Sequence, residues 1–377
     1  MVQRVDFVSC TDYAERLPVA VDELFSVSPC LAGARFAGRR VLVKPNMLTD
    51  RLPEQAVTTH PELLRQVVRK LKRFGAKVTV GDSPQNVLKL QQVWDRTGIS
   101  AVCSNEQVPL VSFEQSARAV FELAGSDGAA HTVVMAGEAL DAELVVNLPK
   151  VKSHFITRLS AAVKNVYGTV PGPAKTELHK FFSKNRDFAR LLQEIWRRLP
   201  PSVSIADGVV GMSGEGPSNG YPLPMGFLAA AESPFALDYA LCRVLAVDPA
   251  RVPYLSGCGV AADEVELMGE VPKVGGFEVP SGLCSIDRLP NWLVRWTGNM
   301  VWVRPAFDYG RCIGCGRCVS ACPKQALSLA GGKARRPVLK KRDCISCACC
   351  HEACPRGAVE MKPSALTRML RIFHVNQ

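Results

Sequence analysis

Apolar and polar positions along the first 275 residues alternate in a way that predicts strands followed by helices. A short apolar run at residues 40–43 precedes a segment, opened by His60-Pro61, whose apolar positions recur at helical spacing from Leu63 to Phe74. Gly75 ends this helix, and residues 77–80 predict the next strand. Strands joined by a helix pair in parallel through a right-handed crossover. The pattern therefore predicts an α/β domain with a mostly parallel sheet.

Further strands are predicted at residues 142–146, 202–206 and 227–231, and helices from about 158 to 167 and after Ser233-Pro234. The strand at 202–206 is expected to end at Asp207-Gly208. Four glycines then predict a flexible loop (Gly211, Gly214, Gly216 and Gly220).

The alternation stops near residue 276, which divides the chain into four parts. We predict an α/β domain at 1–275, a connector at 276–307 containing Trp292 and Trp296, an α+β ferredoxin-type domain at 308–362 and a basic amphipathic tail at 363–377. The connector and the tail could pack the two domains together or lie on a membrane surface as a peripheral contact, and packing is the commoner role.

Eight of the fifteen cysteines form two runs with ferredoxin spacing. Each run has three cysteines at three-residue intervals and a fourth before proline, and the fourth ligates the cluster of the other run. The predicted ligands are Cys312, Cys315, Cys318 and Cys354 for one [4Fe–4S] cluster, and Cys344, Cys347, Cys350 and Cys322 for a second. Two zinc sites are the alternative, but zinc sites usually use paired C-x-x-C knuckles. Cys349 is extra to the pattern and could be an alternative ligand, a free thiol or a packed side chain.

The N-terminus lacks a secretory pattern and no apolar run approaches the ~18 residues of a spanning helix, so we expect a cytoplasmic protein. The net charge of +11 is uneven: thirteen Lys or Arg and four Asp or Glu after residue 307 give +9 there. Part of this excess offsets the charge of the clusters, and the rest could attract an acidic redox partner or an anionic surface, or could simply be solvated. No recognised nucleic-acid-binding module is present.

Polar residues cluster where the predicted strands end, which is where open parallel sheets bind ligands. Lysines and histidines there could bind a carboxylate or phosphate and supply protons, and the carboxylates could orient the lysines or hold Mg²⁺. Solvated loop residues are the alternative interpretation. The candidate catalytic residues are His154, His179, Lys152 and Lys164. The candidate substrate-binding residues are Lys44, Asn46, Asp82, Lys150, Asn165, Lys175, Asp207, Glu215 and Asp238.

These residues also support a family resemblance, because several motifs occur in one order between about residues 40 and 240. They include Lys44-Pro45-Asn46, Gly81-Asp82-Ser83-Pro84, residues 147–154 (NLPKVKSH), residues 164–168 (KNVYG), Ala206-Asp207-Gly208, Gly214-Glu215-Gly216-Pro217 and Ala236-Leu237-Asp238. The chain resembles the domain of unknown function 362 family in its form fused to a two-cluster ferredoxin. The resemblance implies cluster binding and a redox setting, and it favours a site at these strand ends without naming a reaction.

Three functions remain open at this point. The first is an iron–sulfur reductase in which two [4Fe–4S] clusters accept electrons from a low-potential donor and deliver them to a small anionic substrate or cofactor. The second is a non-catalytic electron carrier or maturation partner. The third is a nucleotide- and Mg²⁺-dependent transferase with a structural ferredoxin domain, which would need carboxylates grouped around the ion.

Overall fold

The computed structural model describes residues 2–85, 88–280, 302–332 and 335–366. Most of the predicted connector, with Trp292 and Trp296, and residues 367–377 of the predicted tail lie outside the described residues.

Strands and helices alternate through the larger domain. Its strands are β1 (Gln3–Ser9), β2 (Arg40–Pro45), β3 (Lys77–Asp82), β4 (Leu110–Ser112), β5 (Ala117–Ala124), β6 (Ala130–Ala136), β7 (Leu144–Leu148), β8 (Lys150–His154), β9 (Arg158–Ser160), β10 (Ser202–Ser213), β11 (Tyr221–Ala231) and β12 (Val265–Gly269). Its helices are α1 (Arg16–Val27), α2 (Pro61–Arg73), α3 (Leu90–Arg96), α4 (Ile99–Asn105), α5 (Gly137–Leu140), α6 (Ala162–Asn165), α7 (Gly172–Phe181), α8 (Asn185–Arg198) and α9 (Pro234–Val244).

Ten of these strands form one sheet in the described chain, with the order β12-β1-β11-β10-β7-β2-β3-β4, while β8 and β9 branch from β10. Pairing is parallel from β10 through β4, and β11 is antiparallel to both of its neighbours. The predicted α/β class with a mostly parallel sheet is confirmed, and buried apolar residues cover both faces of the sheet.

Helix α2 shows why the predicted strand–helix–strand unit forms. The His60 Nδ1 atom accepts the backbone N–H of Glu62 at 3.2 Å, Pro61 occupies the first turn, and the apolar side chains between Leu63 and Leu71 are buried. Gly75 follows the helix with φ of +80°, a conformation that glycine adopts at little cost. Strands β2 and β3, on either side of the helix, pair in parallel.

Strand β10 continues beyond the point where the sequence predicted its end. It runs past Asp207 to Ser213 with a bulge between Gly208 and Val210, so Gly211 is a strand residue and not part of a loop. A Cβ on Gly208 would lie 2.4 Å from the ring of Phe227. Gly208 and Gly211 lack side chains, so large side chains of β11 can pack on β10 at these positions. This explains why the prediction of a loop at Gly211 was wrong.

The segment after β7 also differs from the prediction. Residues 150–154 form the buried strand β8, which pairs with β10 and β9, and residues 158–160 are strand and not helix. Arg158 has φ of +63°, which is incompatible with a helix starting there. The helical part is short, with α6 followed by a 3₁₀ turn at Val166–Thr169.

The ferredoxin-type domain begins earlier than predicted. It contains β13 (Val303–Phe307), β14 (Leu327–Ala330), β15 (Arg336–Leu339) and β16 (Val359–Pro363), and the helices α10 (Arg317–Ser320) and α11 (Cys349–Glu352). Strand β13 pairs with β16 and β14 pairs with β15, both antiparallel. The last residues of the predicted connector are therefore part of this domain.

Candidate cluster cavities and active site

The eight cysteines of the two runs line two separate cavities. The first cavity is lined by Cys312, Cys315, Cys318 and Cys354, and the second by Cys322, Cys344, Cys347 and Cys350. Each cavity thus receives three cysteines from one run and the fourth from the other run. These are the two sets of four that the spacing assigns to two clusters, and the binding of clusters by them stays a prediction.

The surroundings of these cavities fit a cluster better than a single metal ion. The sulfur of Cys322 accepts the backbone N–H of Ala326, and that of Cys354 accepts the backbone N–H of Ala358, both at 3.2 Å. Such bonds offset thiolate charge in iron–sulfur sites. A zinc ion would need its four thiolates within about 2.3 Å of one point. Over the residues that the structure describes, no three His, Cys, Asp or Glu side chains are placed to share one ion.

The ferredoxin-type domain is held against the α/β domain by specific polar contacts. The Arg317 guanidinium donates two bonds to the Asp50 carboxylate, at 3.1 and 3.0 Å. Arg51 donates to the carbonyl of Cys354 at 3.3 Å, and Asn219 donates to that of His351 at 2.7 Å. These contacts hold helix α11, which carries Cys350, against the strand ends of the larger sheet.

Two of the predicted lysines form buried ion pairs. Lys44 lies 2.8 Å from Asp82, and Lys150 lies 2.6 Å from Asp207, with all four side chains buried. Tyr13 donates to Asp207 at 2.7 Å and accepts from Lys150 at 2.8 Å. These charges are satisfied within the protein, and sequence reasoning missed Tyr13 because it lies far away along the chain.

Three other lysines have no carboxylate in ion-pair contact among the described residues. Lys152, which is fully buried, donates to the carbonyl of Val57 at 2.7 Å and to Asn46 Oδ1 at 3.1 Å. Lys175 donates to the carbonyls of Ser83 and Pro84. The ammonium of Lys164 lies 4.7 Å from the ring centre of Tyr167. We call Lys152, Lys164 and Lys175 the lysine site.

Electrostatics and buried polar atoms link these three lysines. Burial lowers the pKa of Lys152 to about 7, with Lys164 adding to the shift, and burial lowers that of Lys175 to about 7. Burial also lowers the pKa of Lys164. Among the described residues, the hydroxyls of Ser83 and Thr58 are buried without a hydrogen-bond partner. Ser83 supplies a carbonyl to Lys175, and Thr58 follows Val57, which supplies one to Lys152.

His154 lies at the junction of the two domains. Its Nδ1 accepts the backbone N–H groups of Ile156 and Thr157, at 3.0 and 3.3 Å, so the neutral ring carries its proton on Nε2. That nitrogen lies 3.5 Å from a carboxylate oxygen of Glu352, a residue of the ferredoxin-type domain. Burial, reinforced by Lys164 and Lys152, holds the pKa of His154 well below its usual value.

His179 is also neutral at physiological pH. Its ring stacks on Phe188 with 4.8 Å between centres, and burial together with Lys164 lowers its pKa to about 3. Two histidines with lowered pKa values are poor proton donors near pH 7. The prediction that they donate protons because their pKa is near neutrality is therefore wrong, whereas burial brings the pKa values of Lys152 and Lys175 to about 7.

The comparisons with known proteins match two separate parts of the chain. The pattern of a domain of unknown function, DUF362, matches residues 41–243, which is more than half of the chain, and a 4Fe-4S dicluster domain matches residues 311–358. The chain belongs to the DUF362 family. The dicluster domain gives this DUF362 protein an iron–sulfur electron-transfer role.

One curated relative of this DUF362 protein is the thylakoid-associated protein sll1697 of Synechocystis. It is 33% identical over 259 residues, which cover 66% of this chain and 79% of the relative. Among the described residues, no helix is both long and apolar enough to cross a membrane.

Two solved structures are similar to part of the DUF362 protein. The lactate racemase apoprotein of Thermoanaerobacterium thermosaccharolyticum has a TM-score of 0.42 and 15% identity, over 65% of this chain and 57% of that one. A Thermotoga maritima protein from structural genomics has a TM-score of 0.38 and 12% identity, over 57% of this chain and 55% of that one.

The predicted acidic residues of the DUF362 domain do not come together. Asp82 and Asp207 are in ion pairs with lysines, and Glu215 is exposed. Asp238 accepts the backbone N–H groups of Ala162 and Val163, at 2.8 and 3.0 Å, and so caps helix α6, while burial raises its pKa to about 7. The expectation that these carboxylates hold Mg²⁺ is not met in the described chain, where each has a different environment.

Predicted asparagines of the DUF362 domain position the lysine site. Asn46 donates to Asn165 Oδ1, and Asn165 donates to Asn147 Oδ1, both at 2.8 Å. This chain of bonds orients Asn46 Oδ1 toward Lys152. The extra cysteine, Cys349, does not line either cavity and interacts electrostatically with Lys164 and Tyr167 across the domain junction.

Proposed function

We propose that the protein is an iron–sulfur reductase that transfers electrons to a small anionic substrate or cofactor bound at the lysine site. One observation carries the proposal: Glu352, two residues after Cys350, lies 3.5 Å from His154 in the α/β domain. The helix that supplies a cysteine of the second cavity thus also forms part of the wall of the lysine site.

The proposed cluster ligands are the two sets of four cysteines that line the cavities. Bound there, [4Fe–4S] clusters supply single electrons at low potential. The backbone N–H groups of Ala326 and Ala358 stabilise negative charge on the sulfurs they contact. Cys349 stays outside this set, although it lies between two of the proposed ligands.

The chemistry of the lysine site supports an anionic ligand. A buried ammonium group without a carboxylate partner is costly, and a bound carboxylate or phosphate would offset that cost. The hydroxyls of Ser83 and Thr58, which have no hydrogen-bond partner among the described residues, belong to the segments whose carbonyls contact Lys175 and Lys152 and are available as further donors. Lys164 and Lys175 are only partly covered, which leaves a route for the ligand from solvent.

Lys152 and Lys175 are also suited to hold the protons that a reduction consumes. With pKa values of about 7, both groups exchange protons at physiological pH, whereas His154 and His179 stay neutral. We assign His154 the role of orienting Glu352 through its Nε2–H group, and Lys164 that of binding the anion.

A screen of reconstituted protein tests this proposal. Protein prepared anaerobically with iron and sulfide is reduced, and its electron paramagnetic resonance spectrum is recorded with a set of mono-, di- and tricarboxylates and phosphate esters. We expect at least one anion to perturb the spectrum and to protect the protein from thermal unfolding.

The same screen on variants identifies the binding residues. Lys164→Gln should abolish the anion effect and keep the iron content, while Lys184→Gln, which changes an exposed lysine outside the site, should behave like the wild type. An anion effect that persists in Lys164→Gln would refute the lysine site. Full cluster content without any anion effect would favour a non-catalytic electron carrier.

A further inference from the structure

The surface around the first cysteine cavity has an exposed apolar centre. Ile313, between two of the lining cysteines, is 62% exposed, and Tyr309 is 45% exposed. Cys315 is itself exposed. Exposed apolar groups beside a redox site are typical of a surface that contacts another protein.

Arginines surround this apolar centre. Arg335, Arg336 and Arg356 are exposed, and none has an ion-pair contact with a carboxylate in the described chain. Arg336 lies 4.9 Å from the ring centre of Tyr309. We call Ile313, Tyr309 and these three arginines the arginine patch.

The nearby acidic groups do not cancel the charge of this patch. Asp308 lies 2.7 Å and Glu360 lies 3.1 Å from the Arg311 guanidinium, so both carboxylates share one further arginine. Four arginines against two carboxylates leave this face with a net positive charge.

The second cysteine run provides an internal comparison. Ile345 has the position that Ile313 has in the first run, but it is only partly exposed, and so is Cys347. The second run continues into helix α11, which carries Cys349, Cys350 and Glu352, and the Glu352 carboxylate lies 3.5 Å from His154 in the α/β domain. The cysteine run of the first cavity is therefore the more exposed of the two, whereas the second run leads into the helix that contacts His154 of the α/β domain.

We propose that the arginine patch docks an acidic electron-carrier protein. This inference rests on the proposed function and specifies where its electrons come from. In each encounter the reduced carrier loses one electron, and the group held by Cys312, Cys315, Cys318 and Cys354 gains it, without transfer of atoms. An acidic carrier fits because opposite charges accelerate encounter and orient the docked pair, while Ile313 supplies an apolar contact at the centre.

Stopped-flow reduction of the holoprotein by flavodoxin hydroquinone tests this docking. Flavodoxin serves as the acidic probe, and the methyl viologen radical cation serves as a small reductant that needs no docking surface. At low ionic strength, an Arg335→Glu/Arg356→Glu variant should be reduced by flavodoxin at least tenfold more slowly than wild type. Reduction by methyl viologen and the iron content should not decrease.

A matched charge reversal provides the control. Lys341→Glu/Arg342→Glu also reverses two exposed basic residues, after the far end of β15, and it should change the flavodoxin rate by less than twofold. The proposal would be overturned if the control slowed reduction by flavodoxin as much as the patch variant does. It would also be overturned if the rate changed neither with ionic strength nor in the patch variant. A third outcome would also overturn it: a patch variant that is reduced by flavodoxin at the wild-type rate but no longer binds phosphatidylserine vesicles. That result would assign the patch to a membrane surface.

The lysine site separates this proposal from the proposed function. Lys164 lies in the other domain, so the Lys164→Gln protein should lose its response to anions while its reduction by flavodoxin still depends on the arginine patch. If normal reduction by flavodoxin depends on the patch but no anion affects any variant, the patch stands and the lysine site fails.

Discussion

Replacing Lys152 with methionine should stabilise the protein near neutral pH and abolish anion binding. Lys152 is fully buried, and burial lowers its pKa from the ordinary 10.5 to about 7. Between pH 7 and 10.5 the unfolded chain binds this proton more tightly than the folded protein does. The lysine therefore lowers stability at pH 7 by ~4 kcal/mol, and this penalty disappears as the pH rises toward 10.5.

The substitution also has a cost. The carbonyl of Val57 and Asn46 Oδ1 lose their donor, and a buried acceptor without a partner costs about 1–3 kcal/mol. Asn46 is only half-buried and can be hydrated, so one such cost applies, and the net gain at pH 7 is about 1–3 kcal/mol. At pH 9 the titration penalty is only ~2 kcal/mol, so the variant and the wild type should be nearly equal in stability.

Thermal unfolding of the anaerobic holoprotein at pH 7 and pH 9 measures this effect. The advantage of Lys152→Met should shrink by ~4 °C between the two values, if 1 kcal/mol corresponds to about 2 °C for a domain of this size. Comparing the two proteins at each pH removes the effect of all other titrating groups. The exposed control Lys184→Met should show no such change. A variant that is less stable at pH 7, or equally shifted at both pH values, would refute the reasoning.

Three further predictions concern the domain junction, the Lys44–Asp82 pair and the anion. A double-mutant cycle of Asp50→Ala and Arg317→Met should give a coupling of about 1–2 kcal/mol in unfolding free energy, because two bonds join partly buried groups, and additive effects would contradict this. Gly168→Ala should lower the melting temperature strongly, because the added Cβ would lie 2.1 Å from Asp82 Oδ1 and 2.6 Å from Lys44 Nζ. The control Gly332→Ala should leave the melting temperature unchanged, since no atom of the described residues lies within 4 Å of its added Cβ. Equal melting temperatures of the two variants would exclude the steric argument. The anion that binds most tightly in the screen should bind about tenfold more tightly at pH 6 than at pH 8 for each lysine with a pKa of about 7 that must be protonated in the complex. Calorimetry should show that the protein takes up protons from solvent when the anion binds. Binding without proton uptake would contradict this role of the lysines.

The sequence predicts the cysteine arrangement because its information is local. Three cysteines within seven residues fix one wall of a cavity, and the proline after the fourth marks where the chain turns away. The strand–helix–strand unit around α2 is equally local, since its cap, apolar face and terminal glycine are consecutive. Both features depend on a few neighbouring residues, and the structure agrees with them.

The function of each lysine could not be predicted in this way. Lys44, Lys150 and Lys152 occupy similar positions at strand ends in the sequence, yet only the first two meet a carboxylate. The partner is decided by strand order and by side chains far along the chain, such as Tyr13 beside Asp207. Likewise, backbone N–H groups at residues 156 and 157 fix the tautomer of His154, and nothing in the sequence indicates that Glu352 faces it.

The unpaired lysines are informative because they oppose folding. A protein can remove the cost of a buried ammonium by placing a carboxylate beside it, and this chain does so for Lys44 and Lys150 in the same region. Lys152 instead relies on neutral oxygen atoms and keeps a pKa of about 7. Local conflicts of this kind are concentrated at functional sites, where a ligand provides what the fold lacks. Among the described carboxylates, that of Glu352 raises the pKa of Lys152 against the effect of burial and belongs to the domain with the cysteine cavities, so the charge balance of the lysine site depends on the docking of that domain as well.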